Sequence, residues 1–218
     1  YFDFNGPVKL LLGSKNFLID KMDTVVRLPV QLEGRVNLSA EVTGQYDSLA
    51  VNSMFLADKF NFGEIYLDNV SGEVNYKDAV LDVKKLSMYS GKQKADIQGS
   101  IPFTNKKPID VKLNLNGENI GLLVSIFKWA KWNKGDGKAS VMITGTIDKP
   151  NINGRIILKN SIIDFDLLKS TVYNFDSDIS ISNSVFRIER FSGVISGDRT
   201  QHNSLPFSAN GTIDMSNA

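Results

Sequence analysis

The chain lacks cysteine altogether, holds a single histidine and has only six prolines in 218 residues. Without Cys there is no thiol nucleophile, no thiolate metal site and no disulfide staple. One His excludes a multi-His metal centre, and a Ser/His triad would hang on His202 alone. An excess of one charge sign is missing too. Lys and Arg number 25 against 24 Asp and Glu, so the basic surplus expected of a nucleic-acid binder is absent. No run approaches the ~20 consecutive apolar residues of a membrane-spanning helix, and no secretory leader pattern is present. Tyr1 opens in the middle of an apolar/polar pattern. That reads as a segment of a longer protein, with any membrane anchor lying outside it. The lack of Cys is compatible with an oxidising compartment without fixing one.

What is present is alternation. Val111 to Leu115, Val141 to Thr144, Asp178 to Ser182 and Phe186 to Glu189 each place apolar and polar residues in turn. This is the pattern of a half-buried strand, one face apolar and one wet. Turn clusters such as Asn105-Lys106-Lys107-Pro108, Asp148-Lys149-Pro150-Asn151 and Ser196-Gly197-Asp198-Arg199 separate the runs. The expectation is an all-β, mostly antiparallel chain.

One segment departs from this. Ile120 to Trp132 is too apolar for an ordinary strand, Asn119 suits an N-cap, and Gly135 or Gly137 suits a stop. Leu122, Ile126, Trp129 and Ala130 fall at helical spacing, so the segment is expected to be the one helix. Trp129 and Trp132 beside Lys128, Lys131 and Lys134 allow two roles. The helix either packs its apolar stripe on the sheet or touches a membrane interface.

A weak repeat runs through the chain: apolar-x-Gly-x-apolar, centred on Gly34, Gly44, Gly72, Gly99, Gly145, Gly154, Gly193 and Gly211. Each Gly falls on the same strand face as its apolar neighbours. Glycine inside a strand marks a bulge, a bend or a close approach, and repeated on one face it would let a sheet curl. The plain alternative is chance recurrence of a common residue.

These motifs carry a family resemblance. Gly145-Thr146-Ile147-Asp148-Lys149-Pro150, followed by Gly154, the apolar Ile156 and Leu158, and Asn160, resembles the GT-x-x-x-P-x-x-x-G pattern of the TamB (translocation and assembly module) family and its AsmA-like relatives. The flanking order, an apolar helix from Glu118 to Trp132, a Gly-led strand and a closing Gly211 to Asp214, is similar as well. So is the strand–turn–strand unit from Val70 to Leu81. The resemblance implies an elongated, curved antiparallel sheet, a U-shaped trough or β-taco with an apolar lumen. It implies trough units at 1–117 and 137–218, joined by a helix and connector at 118–136. It also implies a periplasmic location between two membranes and an inner-membrane anchor outside this segment. The partners it implies are phospholipid acyl chains and an outer-membrane β-barrel protein. The implied roles are lipid transport between membranes, outer-membrane barrel assembly, or both. No enzyme activity, metal or cofactor is implied.

Residues of this kind suit such a role. Exposing an acyl chain to water costs ~0.8 kcal/mol per CH₂, on the order of ten kcal/mol per chain, and an apolar groove removes that cost along its length. The expected lining residues are Leu81, Val83, Leu113, Leu115, Val141, Ile143, Ile156, Leu158, Ile179, Ile181, Phe186 and Ile188. The same residues would equally fill a closed β-sandwich core. A β-solenoid or adhesin-like interaction module with a filled core is the alternative function. A carbohydrate-active enzyme is disfavoured, because no paired carboxylates stand in an aromatic setting. His202 has no Gly-x-Ser-x-Gly elbow beside it. Asp164/Asp166 and Asp176/Asp178 read as the wet face of strands rather than a Ca²⁺ loop. Lys84-Lys85 interrupts the alternation and is expected to be a bulge. Lys106-Lys107 reads as a solvated turn.

Overall fold

The computed structural model describes residues 6–20, 32–45, 48–62, 65–104, 107–118, 130–165, 170–196 and 204–216. They form twelve strands: β1 (Val8–Leu18), β2 (Leu32–Gln45), β3 (Ser48–Phe62), β4 (Ile65–Lys77), β5 (Val80–Ser90), β6 (Gln93–Pro102), β7 (Ile109–Glu118), β8 (Ala130–Gly145), β9 (Pro150–Phe165), β10 (Ser170–Ser182), β11 (Val185–Ser196) and β12 (Ser204–Asp214). Their hydrogen-bonded order is the order of the sequence, β1 through β12. The sheet is therefore an open antiparallel meander with β1 and β12 at its ends, not a closed barrel.

No α-helix occurs among the described residues. Ala130 to Trp132, expected as the end of a helix, begin β8 instead, and Gly135 and Gly137 lie inside that strand rather than stopping a helix. The local sequence explains this. Trp favours strands, and Asn133, Gly135, Asp136 and Gly137 are poor helix formers. The rest of that segment, 119–129, lies outside the described residues.

Several hairpins turn on two residues. Asp78-Ala79 and Asn183-Ser184 each have both residues at positive φ (49°, 56° and 51°, 62°). This is the turn whose twist matches that of the strands it joins.

Contacts divide the chain into two units: 1–91 with 96–111 and 145–149, and 92–95 with 112–144 and 150–218. In the first unit the register of β1 to β5 stacks side chains into rows across five strands. Leu10, Val42, Val51, Tyr76 and Leu81 form one row. Leu12, Ala40, Ser53, Val74 and Val83 form the next, then Ser14, Leu38, Phe55, Gly72 and Leu86, then Phe17, Val36, Ala57, Val70 and Met88. Nearly every member is apolar, so this face is continuous, and Val36, Ala40, Ala57, Val70 and Val83 on it are buried. The opposite face carries Glu41, Asn52, Asn75 and Asp82 in one row and Arg35, Asp58 and Asn69 in another. Asn69 Nδ2 donates to Asp58 Oδ1 at 2.9 Å, and Lys9 pairs with Glu41 at 3.1 Å. The Lys84 bulge is present: Glu73 pairs with Lys85 and Val74 with Val83, leaving Lys84 between them.

The second unit repeats the scheme over β9 to β12. Gly154, Ile181, Phe186 and Ile213 form one row, and Ile156, Ile179, Ile188 and Gly211 the next. Leu158, Ser177, Phe191 and Ala209 follow, then Ile163, Val172, Ile195 and Leu205. Ile163, Val172 and Phe175 are its buried core, packed by Leu158, Phe191, Ile195 and Phe207. The Phe175 and Phe191 rings meet edge to face at 4.9 Å, a favoured aromatic geometry.

Single residues in the left-handed region adjust the alternation. Asn160 (φ 47°) and Asn174 (φ 48°) sit at register shifts between β9 and β10. The inward-facing positions move from Leu158 to Ser161 and from Val172 to Phe175 across them, a step of three instead of two. Asn tolerates this conformation better than other non-glycine residues, and the extra residue of a bulge needs it.

Candidate functional site

The feature with functional content is the apolar face. In the first unit it loses its cover toward β1. Ala57, in the row of Phe17, is 1% exposed, whereas Leu10, Leu12, Phe17 and Leu38 are exposed, Leu12 to 47%. In the second unit Val172 is deeply buried, and the same face reaches solvent at Leu205 and Ile213 on β12. A protein surface normally scatters such residues, and a contiguous apolar set marks an interaction site.

Each of the expected lining residues is buried or half-buried. Leu81 and Val83 close the first two rows of the first unit. Ile156, Ile179 and Ile188 share one row of the second unit, Ile181 and Phe186 stand with Gly154 in another, and Leu158 faces Ser177. Leu115 is buried and Leu113, Val141 and Ile143 are half-buried. Leu122, Ile126 and Trp129 lie outside the described residues, as does the Trp132 side chain, whose backbone is in β8. Sequence reasoning missed the accessible members, Leu10, Leu12, Phe17 and Leu38 in the first unit and Leu205 and Ile213 in the second. The signal was there in Leu10-x-Leu12, but Leu11 between them breaks the alternation and turns to the opposite face, opposite Glu41.

The glycine repeat serves this face in two ways. Gly72 and Gly193 lie under side chains: a Cβ at Gly72 would sit 2.5 Å from the Phe55 ring, and at Gly193 2.7 Å from Val172 Cγ1. Gly154 is a backbone contact. Its φ is 156°, and a Cβ there would come within 2.3 Å of the Ser140 carbonyl oxygen.

Several positions of the GT-x-x-x-P-x-x-x-G run have structural work. Thr146 and Lys149 exchange backbone hydrogen bonds at 3.2 Å to close the β8–β9 turn. Beyond Pro150, the β10–β11 turn is tied to the start of β9. Ser184 N donates to the Ile152 carbonyl at 2.8 Å, and Asn183 N donates to Asn153 Oδ1 at 2.9 Å. Asn160, at the end of the run, is the left-handed bulge residue.

The acidic pairs are engaged by protein donors. Asp164 accepts from Thr171 Oγ1 at 2.5 Å and from Asn133 Nδ2 at 2.8 Å. Asp176 accepts from Asn160 N at 2.9 Å. Asp178 takes both Nε and Nη2 of Arg155, at 2.8 and 2.7 Å. That fork holds the Asp178 carboxyl below the usual carboxylate range, chiefly through the hydrogen bond. Asp166 and His202 lie outside the described residues. Among the described residues no three His, Asp or Glu side chains are grouped to hold a metal ion.

No curated protein and no solved structure matches the chain. The family model of the TamB C-terminal domain matches residues 84–203, more than half of its length. The matched stretch takes in the glycine run, the Asn160 bulge and the whole core of the second unit. The chain belongs to the TamB family.

Proposed function

We propose that the apolar face is a passage surface for phospholipid acyl chains, and that this chain is a segment of an envelope protein working between the inner and outer membranes. Membership in a family of envelope-associated proteins supports the location. The observation that carries the role is the run of aligned apolar rows across five neighbouring strands, ending in side chains left open to solvent at Leu10, Leu12, Phe17 and Leu38. An acyl chain laid on such a face is removed from water at ~0.8 kcal/mol per CH₂. Apolar contacts of this kind are non-directional, so the cargo is held weakly and can move on.

The curvature that would turn the sheet into a trough is part of the same proposal. Its support is the set of glycines on the apolar face, which allow backbones and rings to close in where a Cβ would collide. In this reading the segment is no enzyme. It needs no metal or cofactor, and it works within a longer, inner-membrane-anchored protein together with an outer-membrane β-barrel partner. Lipid passage and barrel assembly both draw on an exposed apolar face, and the aligned rows favour passage.

Native mass spectrometry of the purified protein tests the role. Phospholipid adducts that disappear in Leu12→Asp, with the fold intact, are the expected result. A protein free of lipid when prepared in its presence would overturn the proposal.

A further inference from the structure

The polar face of the second unit carries a feature the apolar-face reading does not use. A cavity of about 640 Å³ is lined by Lys92, Asn116, Asp136, Lys138, Ile157 and Lys159, together with the main chain of two glycines. Asn116 and Lys138 alternate with the buried Leu115 and Ala139, so the cavity opens on the side opposite the apolar rows.

The backbone builds this concavity. Gly117 has a φ of 141°, and a Cβ there would fall 2.3 Å from the Lys92 carbonyl oxygen. Only glycine lets the β5–β6 turn come this close to β7, and the turn brings Lys92 with it. On the other side β9 is held against β8 at two points, Gly154 at Val141 and Gly135 at Ser161, which bracket Lys138 and Lys159.

Three lysines, Lys92, Lys138 and Lys159, therefore line the cavity with one acidic residue, Asp136. Among the described residues the Lys138 and Lys159 ammonium groups have no ion-pair or hydrogen-bond partner, and Lys159 acts only at longer range on Asp178. Lysine ammoniums are compact, multi-donor charges suited to phosphate oxygens. The Asn116 amide adds a neutral donor, and Ile157 adds an apolar wall. The volume exceeds that of a bare phosphate and leaves room for the group it is attached to.

We propose that this cavity binds a phosphate group. It belongs either to a soluble phosphate or phosphomonoester, or to a phospholipid headgroup at a membrane surface. Because the cavity and the apolar rows lie on opposite faces, the proposal stands apart from acyl-chain passage.

The intact protein is titrated with inorganic phosphate while its backbone amides are followed by NMR. In parallel it is sedimented with vesicles of phosphatidylglycerol or of phosphatidylcholine. The expected result is saturable shifts at residues 116–117, 136–138 and 157–159, weakened about tenfold in Lys138→Gln/Lys159→Gln, as loss of charge-assisted hydrogen bonds implies. Both lysines are exposed, and an unchanged amide spectrum elsewhere verifies the fold of the variant. Binding to phosphate supports a soluble source. Binding only to phosphatidylglycerol vesicles, lost in the same variant, supports the headgroup. No binding in either arm, or binding that the double variant leaves unchanged, overturns the proposal.

Discussion

Asn160, in the left-handed conformation, donates its backbone N–H to Asp176 Oδ1 across the β9–β10 pair at 2.9 Å. The same device recurs at the other end of the chain, where left-handed Asn16 donates its N–H to Asn37 Oδ1 at 3.0 Å. In each case a bulge frees one backbone donor and a side chain on the neighbouring strand takes it up. The alternation can then shift by one residue without leaving an orphan group.

Replacing Asn160 separates conformation from side chain. Asn160→Val forces a β-branched residue to positive φ and costs about 2 kcal/mol, while Asn160→Gly stays within about 0.5 kcal/mol of the parent. Asp176→Ala leaves the exposed donor to water at a cost of about 0.5–1.5 kcal/mol. Urea midpoints at constant slope give all three values.

Glycines on the apolar face are not equivalent. Gly154→Ala puts a Cβ against the Ser140 carbonyl oxygen at a φ of 156°, and costs about 2–3 kcal/mol. Gly211→Ala meets nothing within 4 Å and changes stability by less than about 0.5 kcal/mol. Thermal midpoints of the two variants should therefore diverge clearly.

A charge on the apolar face acts differently by depth. Ile181 is buried, and Ile181→Asp destabilises by more than about 4 kcal/mol because the carboxylate loses water without gaining a partner. Leu12 is 47% exposed, so Leu12→Asp leaves the fold intact. Circular dichroism on both variants checks the difference.

The Arg155–Asp178 fork gives a pH dependence of defined sign. The Asp178 carboxyl is held below its ordinary value, first by the Arg155 hydrogen bond. Its contribution is therefore full above the unfolded-state value of about 4 and fades as pH falls through the lower folded-state value. Asp178→Asn flattens the acid limb of the urea midpoint against pH, and 0.5 M salt shrinks the difference because the pair is exposed to solvent. An acid limb that keeps its slope in Asp178→Asn would assign the dependence to other carboxylates.

Much of this architecture was legible in the residues. Ile179 and Ile181 alternating with Asp178 and Ser180 announce both the strand and its two faces, and Lys84-Lys85 announces its bulge. The apolar-x-Gly-x-apolar repeat places Gly72, Gly154 and Gly211 on the apolar rows. Other features depend on partners distant in sequence. Nothing local says that Asn160 turns left-handed, since its acceptor Asp176 is sixteen residues away. The Asp78-Ala79 turn lacks the usual glycine. Trp132 could be read into a helix because Leu122, Ile126 and Trp129 share its spacing, yet the Asn and Gly residues that follow commit Ala130 onward to β8. Accessibility was least legible of all. Leu12 and Val83 share one row, and only the register shows the first open and the second covered.

The central claim, that the apolar face receives acyl chains, is tested most directly by photo-crosslinking from its two sides. A benzophenone side chain at Leu12 or Leu38 looks out from the apolar rows, whereas one at Glu41 or Asn52 looks out from the polar face of the same strands. With the protein expressed in an envelope-bearing host, phospholipid adducts should form from Leu12 and Leu38 and not from Glu41 or Asn52. Equal labelling from both faces, or none from the apolar one, would contradict the account.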